Sequence, residues 1–223
     1  MEHTKKKFSI YNQNVVGYVF IMPWLVGFLC FTLVPFLMSF VLSFTNFNIL
    51  SPDTKFVGFD NYVKLFTQDK LFIKSLKVTF KFAFISVPLR LIFALLVAMI
   101  LNRKSRAVPV YRVVYYLPSI IGGSVAVSVM WRNLFTKAGV INSLLQAVGI
   151  DCRLNWLSNT KTALFTLILL YVWQFGSSML IFLSGLKQIP VSYYEAAEVD
   201  GAGKVRQFFS ITLPLISPTL FLL

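Results

Sequence analysis

Few side chains in this sequence have the types and spacing for bond chemistry. The single histidine, His3, stands in the N-terminal tail, and no grouping of His, Cys, Asp or Glu has metal-ligand spacing. The stretch "GAGK" at 201–204 invites a phosphate-loop reading. A loop of the G-x-x-x-x-G-K-[ST] type, however, needs glycine where Glu198 stands and a hydroxyl where Val205 stands. No nucleotide is held through that segment, and no cofactor or metal is expected on this chain. What remains is polar chemistry without bond-making. Tyr171, Gln174, Ser177 and Ser178 recur at helical spacing in an apolar run, with Trp173 beside them. Such a stripe can hydrogen-bond a polyol while the indole stacks on it, or it can simply join helices through serines. Arg90 lies deep in another apolar run, where a charge costs about 2.5–3.5 kcal/mol on insertion scales. Every Asp and Glu lies outside the apolar runs, so Arg90 should face carbonyls, water or a partner subunit. It is either a structural cation or a contact for an acidic or phosphorylated solute.

These residues need a lipid-embedded frame. The 223 residues are 57% hydrophobic and 13% charged, with mean hydropathy +0.74, where a soluble domain carries about 25% charge. Lys and Arg outnumber Asp and Glu 21 to 8, but the positives sit in short clusters between apolar runs, as membrane topology requires, and do not indicate nucleic acid. A crossing needs about 20 apolar residues. Four runs supply them: Val15 to Phe44, Phe82 to Leu101, Val113 to Trp131 and Thr162 to Leu186. The first follows Lys5, Lys6 and Lys7; it is too long for a signal peptide and lacks a small-residue cleavage site. Pro118, Gly122 and Gly123 could break the third run, yet Gly and Pro are common in membrane helices, and an unbroken span is expected. The final run, "LPLISPTLFLL", has about half the length of a crossing. A longer natural polypeptide is therefore expected, continuing by roughly 60–80 residues to complete this fifth span and add a sixth.

With a cytoplasmic tail at 1–14, alternation puts the connections 45–74 and 132–161 outside and 102–112 and 187–213 inside. Arg103, Lys104, Arg106 and Arg112 make 102–112 the strongest cytoplasmic signal. Each outer connection also carries four Lys or Arg, so the charge bias is incomplete. Cys30 falls in a span and Cys152 in a connection, which makes an intrachain disulfide unexpected.

The connection 187–213 is too elaborate for a mere link. Pro190 suits a first helical turn, and Ser192 with Glu195 has capping-box spacing. A helix of about ten residues should follow, with Tyr193, Ala196 and Ala197 on one face. Gly201 and Gly203 should end it, and a second short helix should restart near Lys204 with Val205, Phe208, Phe209 and Thr212 on one side, up to Pro214. Helices this short persist in water only with a face buried. A helix–hinge–helix at a membrane surface is a natural lever for another protein.

The pattern E-A-A, three residues, G, nine residues, I-x-L-P is met at Glu195, Ala196, Ala197, Gly201, Ile211, Leu213 and Pro214. In this the chain resembles the permease subunits of binding-protein-dependent ABC importers. "FVGFDNY" (56–62), "YRVVYYLP" (111–118) and "EVDGAG" (198–203) resemble the carbohydrate-uptake branch, the maltose, glycerol-phosphate and multiple-sugar type, over residues 15–223. The resemblance implies an all-α transmembrane domain with about five spans in this chain and six in the full protein. It implies a subunit that is no enzyme, lying in the cell membrane and pairing with a second homologous permease. It also implies a dimer of cytoplasmic ATPase subunits, which bind ATP and Mg, and an extracytoplasmic solute-binding protein that delivers the sugar. The loop would dock on the ATPase through Glu195, Ala196, Ala197, Asp200, Gly201, Gly203, Ile211, Leu213 and Pro214. Ser119, Gly123, Gln174 and Ser177 would face the sugar, with Trp173 and Arg90 as further pathway residues. The rival reading, a self-sufficient secondary transporter or channel, would call for intramembrane carboxylates.

Overall fold

The computed structural model describes residues 13–50, 54–103, 105–151 and 153–223. The tail with His3 and Lys5 to Lys7, and also Asp53, Lys104 and Cys152, lie outside the described residues. The chain divides into two units, 1–76 and 77–223. The described residues are helical, apart from turns and one isolated bridge between Thr45 and Phe56.

In the first unit, α1 (Gln13–Phe28) and α2 (Val34–Leu42) run on through a π turn at Leu29–Leu33, giving a span over Val16–Leu42. The turn precedes Pro35 and is closed by the Val34 N–H donating to the Leu29 carbonyl, five residues back. A wide turn of this kind relieves the bond and the space that a proline ring takes from the preceding turn. After α2 the chain folds back on its own end. The Phe44 ring packs against Phe56, Phe59 and Tyr62. The Asn61 amide donates to the carbonyls of Ser43 and Thr45, 2.8 Å each. The Ser43 and Tyr62 hydroxyls are 2.6 Å apart. Gly58 turns the chain with φ 59°. The "FVGFDNY" stretch is thus a clasp on the end of the first span, and α3 (Asp60–Thr67) grows from it.

Span two begins earlier than its hydropathy suggests. The helix α4 covers Lys70–Leu101, starting about three turns before Phe82, whereas the hydropathy suggests a start at Phe82 or a turn or two earlier. Asp69 caps it, its carboxylate accepting from the N–H groups of Leu71 and Phe72 at 2.9 and 3.0 Å. Lys70, Lys74, Lys77 and Lys81 follow at helical spacing on its exposed side, so their charge stays in solvent while the helix forms.

The second unit corrects two spans. The third is broken: α5 (Val108–Ile121) and α6 (Val125–Leu134) meet at 98°. Ser124 takes an extended backbone and caps α6, accepting from the Val127 N–H at 3.3 Å. The fourth is bent by 45° between α8 (Ala163–Trp173) and α9 (Gly176–Gln188). Between these pairs the connection 132–161 is built on α7 (Val140–Ala147) and on Asn142, which is buried. Its amide nitrogen lies within 3.1 Å of the carbonyls of Thr136, Lys137 and Leu154, and its oxygen accepts from the Trp156 indole.

The core joins α4, α5, α9 and the final helix. Ala94, Leu95, Ala98 and Leu101 meet Phe175, Met179, Phe182, Leu183 and Leu186, with Ile216 closing the cluster. Alanines in this stripe, and Gly185 under Thr219, let backbones approach closely, the usual route to helix association in lipid.

Candidate functional site

The loop expected at 187–213 resolves into one short helix, a hinge and the start of the last span. The helix α10 covers Val191–Val199, and Pro190 is its N-cap, with extended backbone, and not part of its first turn. Ser192 lies inside the helix and no side-chain cap bond forms, so the capping box is absent. No residue of α10 is fully buried. Its inner side carries Tyr194 and Ala197, each half-buried, whereas Tyr193, Glu195 and Ala196 are exposed. The expected grouping of Tyr193 with Ala196 and Ala197 therefore splits between two sides.

The hinge follows from residue types. Asp200 is the C-cap, and Gly201 has φ 72°, a left-handed conformation that glycine adopts without steric cost. Gly203, extended, caps α11 (Lys204–Gln207). Three side-chain contacts hold the turn. Gln207, buried, donates to the Ala202 carbonyl at 3.0 Å. The Tyr194 hydroxyl is 2.9 Å from that of Thr212. Lys204 pairs with Glu198, and this ammonium, through its hydrogen bond first and its charge second, holds the Glu198 carboxyl below its ordinary range. The pair is intact at neutral pH and is lost as pH falls through that lowered value.

Among the described residues of the loop, no second independent helix forms. From Lys204 the helix continues through a π turn, Phe208–Thr212, into α12 (Leu213–Leu222), and Lys204–Leu222 is long and apolar enough to cross a membrane. As before Pro35, the π turn precedes a proline, here Pro214, and closes with the Leu213 N–H on the Phe208 carbonyl. That wide turn shifts the register. Thr212 is buried and Phe208 half-buried, but Val205 and Phe209 are exposed, so they do not share one side. Ile211 and Leu213 pack against the core. They anchor the loop, leaving Glu195, Ala196 and Asp200 on its exposed surface.

The polar stripe expected along span four does not exist as such, because the helix bends inside it. Gln174 and Phe175 lie in the bend. Ser119, on α5, holds it. Its hydroxyl donates to the Gln174 carbonyl and accepts from the Ser177 N–H, 3.0 Å each. One side chain thus satisfies an orphan acceptor at the end of α8 and an orphan donor at the start of α9. The two breaks touch each other. A Cβ on Gly122 would overlap the Gln174 side chain, and one on Gly176 would overlap the α5 backbone at Tyr115 and Tyr116. Gly123, by contrast, stands exposed with open space around it.

Arg90 reaches this bend. Its guanidinium donates to the Ser177 hydroxyl at 3.1 Å and lies 4.7 Å from the Tyr171 ring centroid. Within this chain its neighbours are thus a hydroxyl and an aromatic face, and its Nε is buried without a hydrogen-bond partner among the described residues. Trp173 packs on Trp131, their centroids 6.0 Å apart, while Ser178 is buried. Tyr171 and Gln174 border a groove of about 380 Å³ between α4 and α8, otherwise lined mainly by apolar residues. The structure therefore brings Arg90, Ser119, Tyr171, Gln174 and Ser177 together and leaves Gly123 and Ser178 apart from them.

Comparison with known proteins agrees with this architecture. Residues 79–223 match the family model of the binding-protein-dependent transport system inner membrane component. A probable ABC transporter permease of Bacillus subtilis, YesP, is 55% identical, covering 97% of this chain and 70% of its own length. The trehalose/maltose permease MalF of Thermococcus litoralis is 32% identical, over 94% and 71%. The arabinooligosaccharide permease AraP of Bacillus subtilis is 32% identical, over 93% and 66%. Among solved structures, a bacterial alginate ABC transporter, crystallised with an alginate pentasaccharide-bound periplasmic protein, superposes with TM-score 0.76 at 26% identity. It covers 92% of this chain and 68% of that one. The all-α, multi-pass architecture and the resemblance to carbohydrate-uptake permeases both hold, and the chain belongs to the family of binding-protein-dependent transport system inner membrane components, as an ABC transporter permease subunit.

Proposed function

We propose that this permease imports a carbohydrate, an oligosaccharide, polyol or sugar-phosphate, with a second homologous permease and two cytoplasmic ATPase subunits. A solute-binding protein delivers the sugar at the outer face. ATP and Mg belong to the ATPase subunits, and this chain makes and breaks no bonds. The observation that carries the reading is α10: an exposed helix that ends in a left-handed glycine and is rooted in a membrane core through Tyr194, Ile211 and Leu213. Marginal alone, such a helix is suited to a groove on another subunit, with Glu195, Ala196 and Asp200 at the contact, Ala197 behind them on the inner side, Gly201 and Gly203 as the hinge, and Pro214 at the root of the span.

The solute pathway is proposed to run along the surface bearing Tyr171 and Gln174, where an aromatic ring and an amide border an apolar groove, a combination suited to a sugar's C–H and O–H faces. Ser119, Ser177, Arg90 and Trp173 keep that surface in shape, and Gly123 leaves the neighbouring break open. Names of relatives such as the trehalose/maltose and arabinooligosaccharide permeases support the sugar class.

Reconstitution of the full transporter in vesicles tests this. ATP hydrolysis is expected to rise when the binding protein arrives loaded with its oligosaccharide, and uptake is expected to need the ATPase subunits. Uptake by the permeases alone, driven by an ion gradient, would overturn the reading in favour of a secondary transporter.

A further inference from the structure

The connection after α4, the first turn of α5 and the start of α10 enclose a cleft of about 510 Å³. Arg103, Arg112 and Lys187 line it, and its lining contains no acidic side chain. Arg112 Nε is buried without a hydrogen-bond partner among the described residues, although a guanidinium N–H is costly to leave unmatched. Asn102 and Ser105 add neutral donors beside the three cations, while Val108 and Ile189 form an apolar floor.

Three observations specify the ligand. Cations and donors without any acid call for an oxyanion, and planar arginine forks match phosphate oxygens in particular. An apolar floor beside them calls for an amphiphile. The level fits as well: α4 ends at Leu101 and α9 at Gln188, so the cleft opens where two lipid-crossing elements leave the apolar layer, at headgroup height. We propose that this cleft binds the phosphate-bearing headgroup of an anionic phospholipid. Basic pockets between membrane helices are suited to that headgroup chemistry. Free phosphate shares the chemistry but makes no use of the apolar floor.

The occupant would bridge α5 to α10, because Val191 and Tyr194 belong to the same wall. It would thereby steady the helix assigned above to ATPase docking. That consequence rests on the coupling reading, whereas lipid binding itself does not.

The complete transporter is reconstituted in nanodiscs of phosphatidylcholine with or without phosphatidylglycerol, and retained lipid is read by native mass spectrometry. Phosphatidylglycerol is expected to stay bound to the wild type. Its retention should fall severalfold in Arg112→Gln and in the double variant Arg103→Gln with Lys187→Gln, whose two positions are exposed and tolerate the change without refolding. Lys161→Gln, an exposed cation in another connection, should leave it unchanged. Equal retention by wild type and the double variant would overturn the proposal. So would thermal protection in phosphatidylcholine discs by inorganic phosphate matching that given by phosphatidylglycerol, which would assign the cleft to a free anion.

Discussion

Single side chains at the bend of span four decide its shape, and Ser119 is the sharpest case. Its hydroxyl serves a carbonyl and an N–H from two different helices, so removing it orphans both in a low-dielectric setting. Interhelical hydrogen bonds in lipid contribute about 1–2 kcal/mol in model systems. Ser119→Ala should therefore lower the thermal stability of the purified transporter measurably. Ser128→Ala is the control, since Ser128 is exposed and bonds only within its own helix; equal effects of the two substitutions would remove Ser119 from this role. The sequence showed the residue types here but not their partnership. Ser119 and Gln174 stand 55 positions apart, and a break held by a distant hydroxyl leaves no periodic trace. Arg90 was legible as an anomaly, because a charge in an apolar run needs an explanation. Its actual partners, Ser177 and Tyr171, were legible only as a polar stripe.

At the scale of elements, membrane runs were readable from hydropathy and their interruptions were not. Gly122 and Gly123 were visible, but the same residues are common in intact membrane helices. What decides is the Ser124 cap together with the space Gly122 leaves for Gln174. The lysines at 70, 74, 77 and 81 lowered local hydropathy and masked three turns of α4, although their spacing is itself helical. The loop at 187–213 was legible as a motif, and its hinge followed from Gly201. That residue's φ of 72° is closed to proline, whose ring fixes φ near −65°. Gly201→Pro should misdirect the chain between α10 and α11, and Glu195→Lys should reverse the charge on the exposed side of α10. Both positions lie away from the groove at Tyr171. Each variant should hydrolyse ATP with little uptake, or lose the ATPase from the membrane, while binding-protein association at the outer face stays normal. Fully coupled transport in both would show that α10 is not the lever.

At the scale of the whole molecule, sidedness is a prediction on which charge and geometry bear in different ways. Positive charge favours a cytoplasmic 102–112, but the connections 45–74 and 132–161 are also basic, so charge alone decides weakly. Geometry adds that residues 102–112 and the start of α10 line one cleft, which places these connections on the same side of the bilayer however many bends lie between them. The connection at 132–161, separated from each by one bent helix pair, should then face the opposite side. An impermeant maleimide reports this directly, in a variant with Cys30 and Cys152 replaced by serine. A cysteine introduced at Gln146, exposed on α7, should be labelled in intact cells. One at Val199, which is 89% exposed at the end of α10, should be labelled only after the membrane is opened. Labelling of both from outside would contradict the alternation across the bent pair at 163–188. Labelling of Val199 alone would invert the orientation, placing α10 where no cytoplasmic ATPase could reach it, and the transport mechanism proposed for this subunit would fail with it.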